Sequence, residues 1–212
     1  MARTLVKVCG VTNLDDARVA VEAGADWLGV VLAGESPRGI APERGAEISA
    51  AFPGTPIVAV MVNPTPEEAR RQAGRAGAAR VQLHRADPAA WPGDFPLPVT
   101  FVVPVGADGR LTAPLPPGRH LLMLDSAHPT LAGGTGVPFP WDAAAALAAA
   151  RPVMIAGGLD GDNVAAAVTR VRPFGVDASS RLERAPGLKD PDKVRRFVRA
   201  VRECDERLAE LA

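Results

Sequence analysis

The stretch Leu5-Val6-Lys7-Val8-Cys9-Gly10-Val11-Thr12 decides the fold. Its first five residues form a short, mostly β-branched apolar run, the pattern of a strand covered on both faces. An open doubly wound sheet would usually follow its first strand with a glycine-rich dinucleotide turn, G-x-G-x-x-G. Cys9-Gly10-Val11-Thr12 is not such a turn, and no Walker A pattern occurs in the chain. Working outward, comparable runs recur at 27–32, 57–62, 79–83, 99–103, 120–125, 153–156 and 174–178. Segments with helical spacing separate them. Alternating strand and helix implies parallel pairing with right-handed crossovers. Eight such units predict an α/β fold, a closed (βα)8 TIM barrel near the short end of its size range.

The helical segments carry their own start and stop signals. Asn13 or Asp15 can begin a helix that stops at Gly24. Thr65-Pro66-Glu67-Glu68 supplies a capping residue, a proline at the first helical position and acids in the first turn. Ala143 to Ala150 reads as an alanine-rich helix, 160–170 as another capped by Asp160, and 190–211 as a long amphipathic one. The segment 104–119, crowded with Pro104, Pro114, Pro116, Pro117 and three glycines, reads as a loop, so the fifth helix is short or missing. No linker or boundary divides the chain, and residues 1–212 are expected to form a single domain.

The 212 residues suffice for one sizeable core, and 47% hydrophobic residues with zero net charge describe a globular protein rather than a nucleic-acid binder. No run approaches the ~20 apolar residues that span a bilayer. The N-terminus enters a strand directly, without a leader pattern, so a cytoplasmic protein is expected. Cys9 and Cys204 lack metal-ligand spacing, and no metal site is expected. Cys204 shares helical spacing with Phe197, Val201 and Leu208, which points it at the core.

In such a barrel the active site lies at the C-terminal strand ends. Polar residues concentrate there: Cys9, Arg38, Gln82, His84, Asp125, Gly134, Thr135, Gly157, Gly158, Asp177, Ser179 and Ser180. A closed barrel directs Cys9 and Asp125 into one mouth, as a thiol and a carboxyl suited to proton transfer. Gly157-Gly158 after the seventh strand and Asp177-Ala178-Ser179-Ser180 after the eighth match the place where these barrels hold phosphate on backbone N–H groups and hydroxyls; tight turns alone would also use the glycines. The Gly133-Gly134-Thr135-Gly136 loop can close over a substrate. Arg38, after Pro37, is suited to a carboxylate, or is a surface arginine. Lys7 shares the side of Cys9 and either lends it positive potential or packs lower in the barrel. Gln82 lines the pocket, and His84 serves it or is a strand-end hydrogen bonder.

These residues together resemble the phosphoribosylanthranilate isomerase family of tryptophan biosynthesis. The likeness runs through Lys7-Val8-Cys9-Gly10-Val11-Thr12, Gly24-Ala25-Asp26, Ser36-Pro37-Arg38, Val81-Gln82-Leu83-His84, Leu124-Asp125 and Gly133-Gly134-Thr135-Gly136. It continues through Ala156-Gly157-Gly158-Leu159, Gly175-Val176-Asp177, Ser179-Ser180, Glu183 and Pro186-Gly187-Leu188-Lys189-Asp190. The resemblance implies a cofactor-free Amadori rearrangement of N-(5-phosphoribosyl)anthranilate to 1-(2-carboxyphenylamino)-1-deoxyribulose 5-phosphate. It implies Asp125 as general acid, Cys9 as general base, Arg38 on the anthranilate carboxylate, and the seventh and eighth loops on the phosphate. The partner is then a small phosphorylated molecule, with no nucleic acid or membrane, and the chain a monomer or homodimer. Chemistry adds two demands: a raised pKa for Asp125 and a lowered one for Cys9.

The chain departs from the family pattern at Arg85 and Arg181, where glycine is usual; the first removes freedom for positive φ, and the second stands beside the phosphate loops. Two rivals remain: a related sugar-phosphate aldose-ketose isomerase such as that of histidine synthesis, or a non-catalytic phosphate-ligand-binding barrel. The former typically uses an aspartate at the end of the first strand, where Cys9 stands.

Overall fold

A computed structural model describes residues 3–126 and 139–211. Eight parallel strands close into a barrel in sequence order. They are β1 (Leu5–Cys9), β2 (Trp27–Val31), β3 (Ile57–Val62), β4 (Arg80–His84), β5 (Val99–Val105), β6 (Leu121–Ser126), β7 (Val153–Ile155) and β8 (Gly175–Ala178). Each lies within two residues of its expected bounds. The helices are α1 (Leu14–Ala23), α2 (Pro42–Ala51), α3 (Pro66–Arg75), α4 (Asp142–Ala150), α5 (Val164–Val171) and α6 (Pro191–Glu210). The fold is the TIM barrel expected from the strand runs.

Two layers of core follow from strand alternation. Val6, Val8, Leu122, Leu124, Ile155 and Val176 face outward and pack under the helices, together with Phe197, Val201 and Cys204 of α6. The alternate positions fill the barrel: Trp27, Val58, Val102, Met123, Met154 and Ala156 form an inner cluster. Lys7, Cys9, Gln82, Asp125 and Asp177 belong to that inner set, which puts polar chemistry inside the barrel.

The caps behave as their chemistry requires. Asn13 accepts from the amide of Asp16, Thr65 from Glu68, and Asp190 from Asp192 and Lys193. α6 fastens the chain ends together: Thr4 bonds Asp205 through its amide (3.0 Å) and its hydroxyl (2.6 Å).

Three connections differ from a regular unit. Between β5 and β6 there is no helix, as the prolines and glycines of 104–119 require; an antiparallel bridge joins Val105 to Leu111. The connection from β4 to β5 is also reduced, to one 3₁₀ turn at Pro88–Ala90, which the sequence reading did not single out. Pro88, Pro92, Pro96 and Pro98 withhold the N–H groups a helix needs. The helix after β7 starts at Val164, later than Asp160. Asp160 instead organises a turn, accepting from the amides of Asp162 (2.9 Å) and Asn163 (3.2 Å).

Arg85 takes φ of 56°, in the left-handed region. A side chain there costs about 1–2 kcal/mol, and glycine recovers part of that against its larger unfolded-state entropy. Arg85→Gly is therefore expected to add up to about 1 kcal/mol of stability and raise Tm by about 2–4 °C, read by thermal unfolding. An unchanged or lower Tm would show that Arg85 earns its conformation through contacts.

Candidate active site

The mouth of the barrel gathers Cys9, Arg38, Gln82, His84, Asp125, Gly157, Gly158, Ser179 and Ser180 at the ends of their strands or in the loops just beyond. Gly134 and Thr135 lie outside the described residues.

Asp125 is 7% exposed, and its Oδ1 is buried without a hydrogen-bond partner among the described residues. Burial first, then the negative charge of Asp177, push its pKa up to about 7, against the Ser126 amide and Lys7. This meets the demand for a carboxyl that holds its proton near neutrality. Gly157, with φ of 89°, is required beside it. A Cβ there would sit 2.6 Å from the Ser126 nitrogen and 2.9 Å from Asp125 Oδ1. Gly157 thus lets the loop after β7 close on the acid.

Cys9 is 7% exposed and pairs in register with Gly29 of β2. Its pKa is raised, because burial outweighs the pull of Lys7 and Lys189. The expectation of a lowered value is corrected here: the cations are present, but the thiol sits too deep for them to prevail.

Lys7 is fully buried, and its Nζ donates to Asp177 Oδ1 at 2.9 Å. This corrects the reading of Asp177 as a phosphate contact. Strand alternation turns its carboxylate into the barrel, and a carboxylate held by an ammonium there is no ligand for an anion at the rim.

Arg38 crosses the mouth from the loop after β2. Its Cδ and Ser179 Oγ both lie within 3 Å of where a Cβ on Gly10 would stand, at 2.7 and 2.9 Å. Its Nε and Nη2 donate to Glu183 Oε1 (2.7 Å) and Oε2 (2.8 Å). Glu183 belongs to a small hairpin after β8, formed by β9 (Glu183–Ala185) and β10 (Leu188–Lys189). Lys189, buried, donates to the same carboxylate at 2.9 Å. Burial pushes Glu183 up, but Arg38 and the Lys189 charge outweigh it and leave its carboxyl below the ordinary range. This fork fixes the guanidinium plane and uses two of its five N–H donors, so Nη1 and one Nη2 proton remain for a second carboxylate. Sequence reasoning placed Glu183 in the family pattern but gave it no role. Nothing local to Glu183 indicates a partner 145 residues away in sequence.

Gln82 Nε2 lies 3.2 Å from His84 Nε2, and Gln82 Oε1 is buried without a partner among the described residues. Burial, then Lys7 and Arg85, pull His84 down to about 4, so it is neutral in the physiological range. The pair presents neutral hydrogen-bonding groups to the cup.

The loops after β7 and β8 stand side by side, since β7 and β8 are hydrogen-bonded neighbours. Asn163 Nδ2 donates to the Gly158 carbonyl at 2.8 Å and fixes the first loop. Arg181 Nη1 reaches Asp160 Oδ2 of that loop at 3.7 Å, which bridges the two. Among the described residues, no group of three or more His, Cys, Asp or Glu could hold a metal ion, and no helix is long and apolar enough to cross a membrane.

This arrangement has close relatives. The family model for N-(5'phosphoribosyl)anthranilate (PRA) isomerase matches residues 6–200. The N-(5'-phosphoribosyl)anthranilate isomerase of Citrifermentans bemidjiense is 42% identical over 92% of this chain and 95% of its own length. The solved phosphoribosyl anthranilate isomerase of Thermotoga maritima superposes with a TM-score of 0.81 at 32% identity, covering 94% of this chain and 99% of that one. A structure of phosphoribosyl anthranilate isomerase in complex with reduced 1-(o-carboxyphenylamino)-1-deoxyribulose 5-phosphate gives a TM-score of 0.78 at 30% identity, covering 94% and 99%. With the family model spanning nearly its whole length on a matching barrel, this chain belongs to the N-(5'-phosphoribosyl)anthranilate isomerase family and is an isomerase of tryptophan biosynthesis.

Proposed function

We propose that Asp125 and Cys9 carry the two proton transfers by which this enzyme converts N-(5-phosphoribosyl)anthranilate to 1-(2-carboxyphenylamino)-1-deoxyribulose 5-phosphate. Asp125 protonates the furanose ring oxygen as the C1–O bond breaks, leaving a Schiff base with the anthranilate nitrogen. The Cys9 thiolate then takes the proton from C2, and the resulting enolamine tautomerises to the ketone. The observation that carries this reading is the carboxyl of Asp125. It is buried at the barrel mouth, holds its proton to about pH 7, and has one oxygen with no hydrogen-bond partner among the described residues. General acids and bases work best with pKa values near the operating pH.

The substrate's two anionic ends are bound apart. The loops of Gly157-Gly158 and Ser179-Ser180 take the phosphate on backbone N–H groups and hydroxyls. Arg38, braced by Glu183, takes the anthranilate carboxylate on its remaining donors. The neutral Gln82 and His84 face the sugar. The relative solved with a reduced aminodeoxyribulose phosphate is consistent with a substrate of this kind and size.

Residues 1–212 act as one barrel unit on a small phosphorylated molecule, with no nucleic acid or membrane as partner. The cytoplasm is the expected compartment. Monomer and homodimer both suit the fold, and monomers generated from the dimeric Thermotoga maritima isomerase are among its structural neighbours.

Arg38→Met tests the binding half of this reading. Losing charge-assisted hydrogen bonds worth about 1.5–3 kcal/mol should raise KM about 10–100-fold, with kcat changed less. Steady-state kinetics following substrate fluorescence read both constants. An unchanged KM would remove Arg38 from the carboxylate.

A further inference from the structure

The one ion pair inside the barrel among the described residues neither transfers a proton nor contacts the substrate in the chemistry above. Lys7 and Asp177 face each other across β1 and β8 in direct register, 2.9 Å apart, at 0% and 6% exposure. A buried ion pair is a poor way to stabilise a core, because desolvating both charges offsets most of their attraction. Its position is more informative than its energy.

On one side stands the thiol. A Cβ on Gly29 would lie 2.8 Å from Cys9 Sγ and 2.9 Å from Lys7 Nζ, so thiol and ammonium rest against the same bare stretch of β2. On the other side stands the acid. Ile155 of β7 pairs with Leu124 and with Val176, so continuing that register past the end of β7 sets Ala156 between Asp125 and Asp177 at one level of the barrel. Two strand spacings put those carboxyls' backbones about 10 Å apart.

We propose that the Lys7–Asp177 pair is a positioning unit for the two catalytic residues, its ammonium favouring the thiolate of Cys9 and its carboxylate favouring the neutral acid form of Asp125. This rests on the acid and base roles given to those residues above.

The surrounding charges support the direction of both effects. Cys9 faces Lys7 on its own strand, Asp177 on β8, Lys189 on β10 and Arg38 from the β2 loop. After burial, Lys7 is the strongest influence on the thiol and acts to lower its pKa; Asp177 opposes it more weakly. For Asp125 the order reverses: after burial, Asp177 raises its pKa more than Lys7 lowers it. Burial pulls Lys7 itself down, yet Asp177 and Cys9 leave its pKa raised, so the ammonium persists. Removing both charges should therefore move the two catalytic groups in opposite directions, Cys9 up and Asp125 down.

The test is the double variant Lys7→Met with Asp177→Asn, because removing both halves of a buried pair spares the fold an unpaired charge. Lys7→Met alone serves as a second variant. Ultraviolet thiolate absorbance against pH, minus that of the matching Cys9→Ser protein, reads the thiol alone; the chain has no tyrosine to ionise in the same range. We expect the Cys9 midpoint to rise in both variants, cutting the thiolate fraction at a given pH on the order of tenfold. In the double variant the pH at which kcat/KM stops rising should fall, since it reports Asp125. A folded double variant with either midpoint unmoved, or moved the other way, overturns the proposal. Failure of the acid–base assignment looks different: Cys9→Ser or Asp125→Asn would then keep turnover, whatever the thiol titration shows.

Discussion

Asp125→Asn is expected to lower kcat by about 10²–10⁴-fold and, at the same time, to make the protein more stable above neutral pH. Both effects have one cause. Burial and the charge of Asp177 raise the folded-state pKa of Asp125 from 3.8 to about 7. The sign follows from linkage. A carboxyl with a raised folded pKa favours folding while it stays protonated in both states, below its unfolded value near ~4. That contribution is lost as pH climbs to about 7 and stays lost above it. At 1.36 kcal/mol per pKa unit, ionised Asp125 costs the fold about 4 kcal/mol. Asparagine has nearly the same shape and never ionises, so the variant avoids that cost. Its stability advantage should be small near pH 4, grow towards pH 7 and then level off. Urea unfolding of both proteins across that range measures it. Near-native turnover would remove Asp125 as the acid, and a stability difference that ignores pH would remove the buried ionisation as its cause.

Cys9→Ser should cost a similar factor in kcat, about 10²–10⁴-fold, with KM changed little, because serine keeps the shape but its hydroxyl does not ionise in the working range. The native pH profile carries a further consequence. Burial places the thiol above its ordinary value of 9.0, while the acid titrates at about 7. The base therefore holds its proton more tightly than the acid does. The active form, thiolate with neutral carboxyl, is a minority of the singly deprotonated state. Its share rises with pH until that state is fully populated near pH 7, stays level, and falls only when the second proton leaves above pH ~9. The two limbs belong to the pair rather than to either residue alone. kcat/KM should follow this course. A fall in kcat/KM beginning near pH 7 would show that the thiol titrates below the acid in the free enzyme. Turnover in Cys9→Ser within a few-fold of native would displace the thiol from the mechanism.

Particular residues show why some of this was legible beforehand. The strand runs are near-continuous because both faces of each strand are covered, and that pattern survives in one dimension. Thr65 announces its helix because capping is a contact between residues three apart. Asp160 misled for the same reason: its local signal is real, but it builds a turn before the helix. Cys9, Arg38, Asp125 and Gly157-Gly158 stood out because barrels place chemistry at strand ends. The lowered pKa expected of Cys9 failed because residue type tells which charges are nearby and not how deeply the thiol is buried.

The sequence by itself determined the barrel, the order of its strands, the missing helix after β5 and the polar residues at the rim, to which the chemistry is assigned by proposal. These follow from periodicity, capping and breaker residues, which act over a few positions. Only the tertiary structure decided which rim and interior groups meet: Lys7 with Asp177 across the closing seam of β1 and β8, and Arg38 with Glu183 and Lys189 over the mouth. Those pairings join residues up to 170 positions apart, and their burial fixes the proton affinities of Cys9 and Asp125. Charge and desolvation act through space, so their balance exists only once the sheet has closed.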